Sequence, residues 1–178
     1  MAPFQVWLVS LLGQESPIAT FMRTAWGWPI MESLHFMALS LLVGPIAVFD
    51  LRLLGVGSRI PMAAARRLVN WGLAGFALSI LTGLMFLLTE PDQYIYNPAF
   101  HLKVLFIAIA GANAGLFAIL PFGRHLPPNR AVPVSARVIA AVSLTLWVAV
   151  IVAGRLITFY RPGDCRPGET PLILTCIP

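Results

Sequence analysis

Four side chains that can hold a cofactor stand inside otherwise apolar segments of this sequence. His35 and His101 each lie a few residues after the start of an apolar run, and Arg155 lies near the end of another. Lys103, the only lysine of the chain, follows His101 by two positions. A neutral imidazole can give a nitrogen lone pair to a metal, and a cation can pair with an acidic group. These residue types predict a site for a metal-containing cofactor with acidic substituents.

The composition is that of an integral membrane protein. Of 178 residues, 58% are hydrophobic and only 11% are charged, whereas about a quarter of the residues in a soluble domain are charged. A spanning helix takes ~20 residues, so this length allows four or five spans and no large soluble domain. The net charge of +5 does not indicate a nucleic-acid partner, because the basic residues stand at the ends of apolar runs and form no stripe.

Four apolar runs are long enough to cross a lipid bilayer. They predict an all-α, integral membrane four-helix bundle over residues 30–160. Pro29 and Pro98 stand at favoured positions for a helix start. The four predicted spans cover residues 30–54, 68–89, 99–120 and 138–160.

Residues 1–29 form a separate N-terminal segment in this interpretation. The stretch FQVWLVSLLG is apolar but too short to span, and it lacks the basic start and the cleavage site of a signal peptide. Trp7, Trp26 and Trp28 suit the headgroup region of a bilayer. We therefore expect one or two interfacial helices here, with an arm bound to a partner as the alternative.

The arginines predict how the bundle is oriented. The loop between the second and third spans, TEPDQYIYNP, has no basic residue, whereas the other two connections are rich in arginine. The positive-inside rule places arginine-rich loops in the cytoplasm, so both termini are expected in the periplasm of a bacterial inner membrane. The arginines that decide this are Arg52, Arg59, Arg66, Arg67, Arg124, Arg130 and Arg137.

The only two cysteines, Cys165 and Cys176, lie in the C-terminal tail formed by residues 161–178. An even pair on the predicted periplasmic side indicates a disulfide that closes a short loop. Two free thiols are the alternative, and a copper-binding pair is less favoured because the spacing matches no compact metal motif.

His35 and His101 are expected at one depth in the bundle. The first and third spans run parallel and stand diagonally in a simple up-down bundle, and at ~1.5 Å per residue the two histidines differ in depth by only a few ångströms. Two facing imidazoles could ligate one haem b on both sides, which suits electron transfer. Arg155 and Lys103 lie in the same layer and are the predicted partners of the haem propionates.

Each of these four residues also has an ordinary structural explanation. Histidine, lysine and arginine near the end of a span often reach the headgroups. Lys103 is two positions from His101 and therefore points to a different face of the helix. However, His35, His101 and Arg155 come from three different helices and lie at one depth, and this combination favours the cofactor site.

Other polar and small residues in the spans suggest structural roles. Asp50 is expected to pair with arginines of the adjoining loop. Gly111 and Gly115 have the spacing that lets helices approach closely, and Asn113 between them can hydrogen-bond across the bundle.

Three stretches carry a resemblance to known proteins: LHFMALSLLVGPIAVFDLRLLG, NPAFHLKVLFIAIAGANA and AGRLITFY. Together they resemble a family of small bacterial four-helix inner-membrane proteins that is distantly similar to the membrane domain of copper-resistance protein D and to four-helix b-type cytochromes. The resemblance covers roughly residues 30–160. It implies a histidine-centred site with His35 and His101 as ligands and Arg155 as the basic residue of the last helix. Two-haem cytochromes of this type use four histidines, so a single haem is expected here.

The leading hypothesis is a b-type cytochrome that relays electrons between the quinone pool and a periplasmic redox protein, or serves as a membrane subunit of a dehydrogenase. A quinone is an additional expected ligand, and no catalytic residue is assigned. The first alternative is a copper-binding or copper-transporting protein, because Met31 and His35 are one helical turn apart and thioether with imidazole suits Cu(I). The second is a cofactor-free anchor or assembly subunit. The sequence leaves open whether the chain forms homo- or hetero-oligomers.

Overall fold

A computed structural model describes residues 3–12, 16–120 and 132–160, and this part of the chain is helical with connecting turns and no strands. Four of its helices are long and apolar enough to cross a membrane, which confirms the all-α membrane fold. The predicted disulfide between Cys165 and Cys176 lies outside the described residues. The helices are α1 Pro3–Leu12, α2 Pro17–Met22, α3 Gly27–Leu54, α4 Met62–Thr89, α5 Pro91–Ile95, α6 Pro98–Ile119 and α7 Val134–Leu156.

The four predicted spans correspond to α3, α4, α6 and α7, but several boundaries differ. α3 begins three residues earlier than predicted, α4 six and α7 four, and α7 ends at Leu156. The 28 residues of α3 extend roughly 42 Å at ~1.5 Å per residue, well beyond the ~30 Å hydrocarbon core. The apolar run marks only the lipid-embedded part of a helix, and the helix continues into the headgroup region on polar residues. α3 ends at Leu54 and is followed by Gly55, whose φ of 98° gives a left-handed cap.

The helices pack in the order α4, α3, α7, α6. Substantial contacts join α4 to α3, α3 to α7 and α7 to α6, whereas α4 and α6 make no comparable contact along their described lengths. Among the described helices, the bundle is therefore open between α4 and α6 at the level of helix packing, apart from short α5, which contacts both. Side chains of the two helices, Phe76 and Phe106, pack on one apolar cluster. We call the end where α3 and α6 begin the histidine end, and the opposite end the arginine-rich end. α1 packs against α4 and α5, and α2 packs against α4 and α3, both at the histidine end.

The closest helix approach is between α3 and α4, at glycines of α4, and not at Gly111 and Gly115 of α6 as predicted. A Cβ on Gly75 would lie 2.5 Å from the backbone nitrogen of Leu42 in α3, and one on Gly72 would lie 3.3 Å from the Leu42 carbonyl oxygen. Gly111 and Gly115 have no such neighbour within 4 Å among the described residues, so the prediction of close packing there is wrong for this part of the chain. α6 instead meets α7 through a side chain: Asn113 donates to the carbonyl of Ile139 over 3.1 Å, as predicted.

Candidate functional site

His35 is held in one orientation by Thr82 of α4. The two residues join through His35 Nδ1 and Thr82 Oγ1, which are 2.7 Å apart. The Thr82 hydroxyl has one hydrogen, and it donates this hydrogen to carbonyl oxygens of its own helix, at 2.9 Å for Leu78 and 3.2 Å for Ser79. With that hydrogen on its own helix, we assign Thr82 Oγ1 as the acceptor of a hydrogen bond from His35 Nδ1–H. In the neutral ring this leaves Nε2 with a free lone pair, so His35 presents an acceptor or metal-ligating nitrogen.

Aromatic rings and a glycine define the space around His35. Phe86, one turn after Thr82, meets the imidazole edge-on at 5.8 Å between ring centres. Trp28 packs on Phe86 at 4.9 Å, so this tryptophan contributes to the site and does not only serve the headgroup region. Gly83 faces the ring, since a Cβ there would lie 3.8 Å from His35 Cε1. The polar ring is thus enclosed by apolar groups from α3 and α4.

Lys103 points into the bundle. Its side chain is half-buried and lies over Gly154 of α7, where an added Cβ would be 3.5 Å from Nζ. A larger residue at position 154 would occupy the space of the lysine chain. His35 and Lys103 lie eight and five residues after the first residues of α3 and α6, so at ~1.5 Å per residue these two groups belong to one layer of the bundle. A lysine inside a span is costly and is by default a functional residue.

A buried hydroxyl without a partner lies one turn below Thr82. Ser79 is only 8% exposed, and its Oγ makes no hydrogen bond. Most buried polar atoms are satisfied, and each exception requires an explanation. Ser79 and Thr82 are three positions apart on α4 and therefore share a face. Together with His35 and Lys103, they make the interior of the histidine end polar.

His101 lies outside this layer. Its side chain is exposed, and its Nε2 lies 2.9 Å from the carbonyl oxygen of Ile95. A carbonyl only accepts, so His101 Nε2 must carry the hydrogen. The ring thereby ties the start of α6 to the end of α5. The structure does not bring His101 together with His35.

Arg155 also points away from the bundle interior. Its side chain is exposed, and its guanidinium stacks over Phe159 at 5.5 Å from the ring centre. Arg155 immediately follows Gly154, the residue that Lys103 contacts. The two predicted propionate partners therefore lie on different sides of α7, with Lys103 on its Gly154 side and Arg155 exposed.

The residues present do not fit a haem clamped between His35 and His101. The His35 ring could ligate the haem iron, because its Nδ1 donates to Thr82 and its Nε2 is free. This is the usual arrangement of a metal-ligating histidine. The Nε2 of His101 is engaged by Ile95, on the outside of α6. Ligation by both rings would require His101 to release that carbonyl and turn inward.

Copper ligation by Met31 and His35 stays a prediction. Both side chains are half-buried on α3. Within the described ranges, no group of three or more histidine, cysteine or acidic residues could hold a metal ion.

No protein family, curated protein or solved structure matches this chain.

Proposed function

We propose that this chain is a membrane electron-transfer protein that binds a quinone in the layer formed by His35, Lys103 and Ser79. The observation that supports this most directly is an acceptor nitrogen and an ammonium group in one layer of an apolar bundle. A quinol offers a hydroxyl donor and a quinone offers a carbonyl acceptor. His35 Nε2 can accept from the first, and the Lys103 ammonium can donate to the second.

The geometry of the layer suits a headgroup with two oxygen substituents. Lys103 can stabilise negative charge that develops on a quinol oxygen as its proton leaves, and His35 can receive that proton. The unpaired Ser79 hydroxyl provides a further hydrogen bond for a ring oxygen. Phe86 and Trp28 supply the apolar and aromatic surface that a quinone ring requires.

The open side between α4 and α6 gives a lipid-soluble ligand a path to this layer. A quinone headgroup could enter between these helices while its isoprenoid tail remains in lipid. Thr82 and Ser79 belong to α4 and Lys103 belongs to α6, so the polar layer is built by the two helices that flank the opening and by α3 behind it.

The cellular setting follows from the arginine distribution and from the resemblance described above. The arginine distribution supports a periplasmic position of the histidine end, and the resemblance supports a bacterial inner membrane. A redox protein or a dehydrogenase subunit would there exchange electrons with the bound quinone. α1 and α2 lie at this end and provide surface for such a partner.

Matched substitutions test the proposal through quinone binding. Trp28 lies beside Phe86, so a short-tailed ubiquinone or menaquinone analogue is expected to quench its fluorescence in the purified protein. A hydrogen bond to a charged group contributes about 1.5–3 kcal/mol, so Lys103→Met is expected to weaken binding roughly 10- to 100-fold. His35→Leu is expected to weaken it roughly 10-fold.

The control variants are Arg155→Gln and His101→Gln, which remove a cation and an imidazole from the same depth but from the outside. They are expected to change the dissociation constant less than about twofold, because neither side chain faces the layer. The assignment would be refuted if the control variants lost as much quinone affinity as Lys103→Met and His35→Leu. It would also be refuted if the unaltered protein showed no saturable binding.

A b-type haem is a second candidate, favoured by the way in which Thr82 orients His35. For this candidate, protein purified from cells supplied with haem is expected to show the α-band of a low-spin haem in a reduced-minus-oxidised spectrum. The band is expected to disappear in His35→Ala, and in His101→Ala only if the His101 ring releases Ile95 and turns inward to ligate. A band that survives in His101→Ala would contradict ligation by both histidines, and a featureless spectrum rules out the haem.

A further inference from the structure

Asp50 is a carboxyl group buried inside α3, far from the quinone layer. It is 5% exposed and lies four residues before the end of α3 at the arginine-rich end. Phe49 and Leu53, on its own helix, belong to the buried apolar cluster of this end, which Ala65 of α4 and Ala140 of α7 complete. An ionised carboxylate in such surroundings requires strong partners.

The partners of Asp50 are too few for a carboxylate. Ser143 on α7 faces the carboxyl group, while Oδ2 is buried and has no hydrogen-bond partner among the described residues. An ionised carboxylate has about four lone-pair positions to satisfy. One serine hydroxyl leaves most of them empty.

The sequence predicts that arginines of the adjoining loop pair with Asp50, but none of them reaches Oδ2. Arg52 turns away and donates from Nε to the carbonyl of Ile60 over 2.7 Å. On the packed helices, Arg66 is half-buried, and Arg67 and Arg137 are exposed. None of them bonds Oδ2. α6 has no charged residue in its last turns, and Arg124, His125 and Arg130 lie outside the described residues.

We propose that Asp50 and Ser143 form a proton-binding site inside the membrane, near the arginine-rich end. The Asp50 carboxyl holds a proton on Oδ2 and accepts a hydrogen bond from Ser143. The bound proton removes the charge that the apolar surroundings do not support, and exchange with the adjacent aqueous side loads and empties the site. The site does not depend on quinone binding, because His35 lies 15 positions earlier on α3, roughly 22 Å away along the helix.

Labelling with dicyclohexylcarbodiimide tests the site in the full-length protein in lipid. A protonated carboxyl adds across the carbodiimide: its oxygen bonds to the central carbon and its proton moves to nitrogen, and an acyl shift gives a stable adduct that mass spectrometry locates. Asp50 is expected to be labelled at least tenfold faster than the exposed Glu32 and Glu90. Its rate is expected to fall as the pH rises.

Asp50→Asn, which has the shape of the protonated acid, is expected to fold normally and to lose the label. An infrared spectrum gives a second readout that needs no reagent access: the carboxylic C=O band of the unaltered protein is expected to be absent in Asp50→Asn. This band supports the site even if the label is absent. The proposal is overturned if the two spectra are identical in this region, or if sodium at constant ionic strength protects Asp50, since protection would identify a metal-ion site.

Discussion

Replacing Gly75 with valine is expected to destabilise the bundle by about 3 kcal/mol, at the upper end of the usual cost of overpacking. A Cβ at this position would lie 2.5 Å from the nitrogen of Leu42, 2.7 Å from the carbonyl carbon of Leu41 and 2.8 Å from the carbonyl oxygen of Ala38. All three are backbone atoms, so no side-chain rotation can relieve the overlap. α3 and α4 would have to separate along their contact.

Gly111→Val is the matched control, because it places the same side chain at a helical glycine in a span that has no neighbour within 4 Å. Thermal unfolding in detergent, followed by circular dichroism, compares the two variants with the unaltered protein. A loss of only a few tenths of a kcal/mol is expected for Gly111→Val. Equal losses in the two variants would show that α3 and α4 do not approach at Gly75.

The fold was predictable because a bilayer imposes a length on its helices. Four runs of about 20 apolar residues could have no other common use, and α3, α4, α6 and α7 are present where these runs stand. The boundaries were less predictable, because a helix does not end where the lipid ends. The arginines at the start of α4 lie within the helix, although hydropathy assigned them to a loop.

The depth of each candidate site residue was predictable, but the direction of its side chain was not. His35, His101, Lys103 and Arg155 all lie near one end of the bundle, as counting residues indicates. Spanning helices that face lipid are apolar on every side, so their sequence carries little periodic signal for the buried face. Only packing shows that Lys103 and His35 point inward while His101 and Arg155 point outward.

The contribution of α4 to the site had a signal that sequence analysis overlooked. Small and hydroxyl residues recur along this helix at spacings of three and four and form its buried face. This pattern could have identified the helix that packs most closely on α3 and supplies hydrogen bonds to its histidine. The residues are Gly72, Gly75, Ser79, Thr82 and Thr89.

Asn97 joins the start of α6 to the end of α7 at the histidine end. Asn97→Ala is expected to lower the free energy of unfolding by about 3 kcal/mol. The side chain is completely buried. Its Oδ1 accepts from the backbone N–H of Ala99 over 3.0 Å and caps α6, while its Nδ2 donates to the carbonyl of Ile157 at the end of α7 over 2.9 Å. Loss of the cap costs about 1 kcal/mol, and a buried carbonyl without its donor costs about 1–3 kcal/mol.

Asn97→Ser separates the two contributions, because serine can cap a helix but is too short to replace the amide donor to Ile157. In chemical or thermal unfolding in detergent, the free energy of unfolding of Asn97→Ser is expected to exceed that of Asn97→Ala by about 1 kcal/mol, the contribution of the cap. Asn113→Ala removes a similar amide-to-carbonyl bond from a half-buried position, so a loss of only about 1 kcal/mol is expected. If Asn97→Ala proves no more harmful than Asn113→Ala, then α6 and α7 are held together along their length and not at the histidine end.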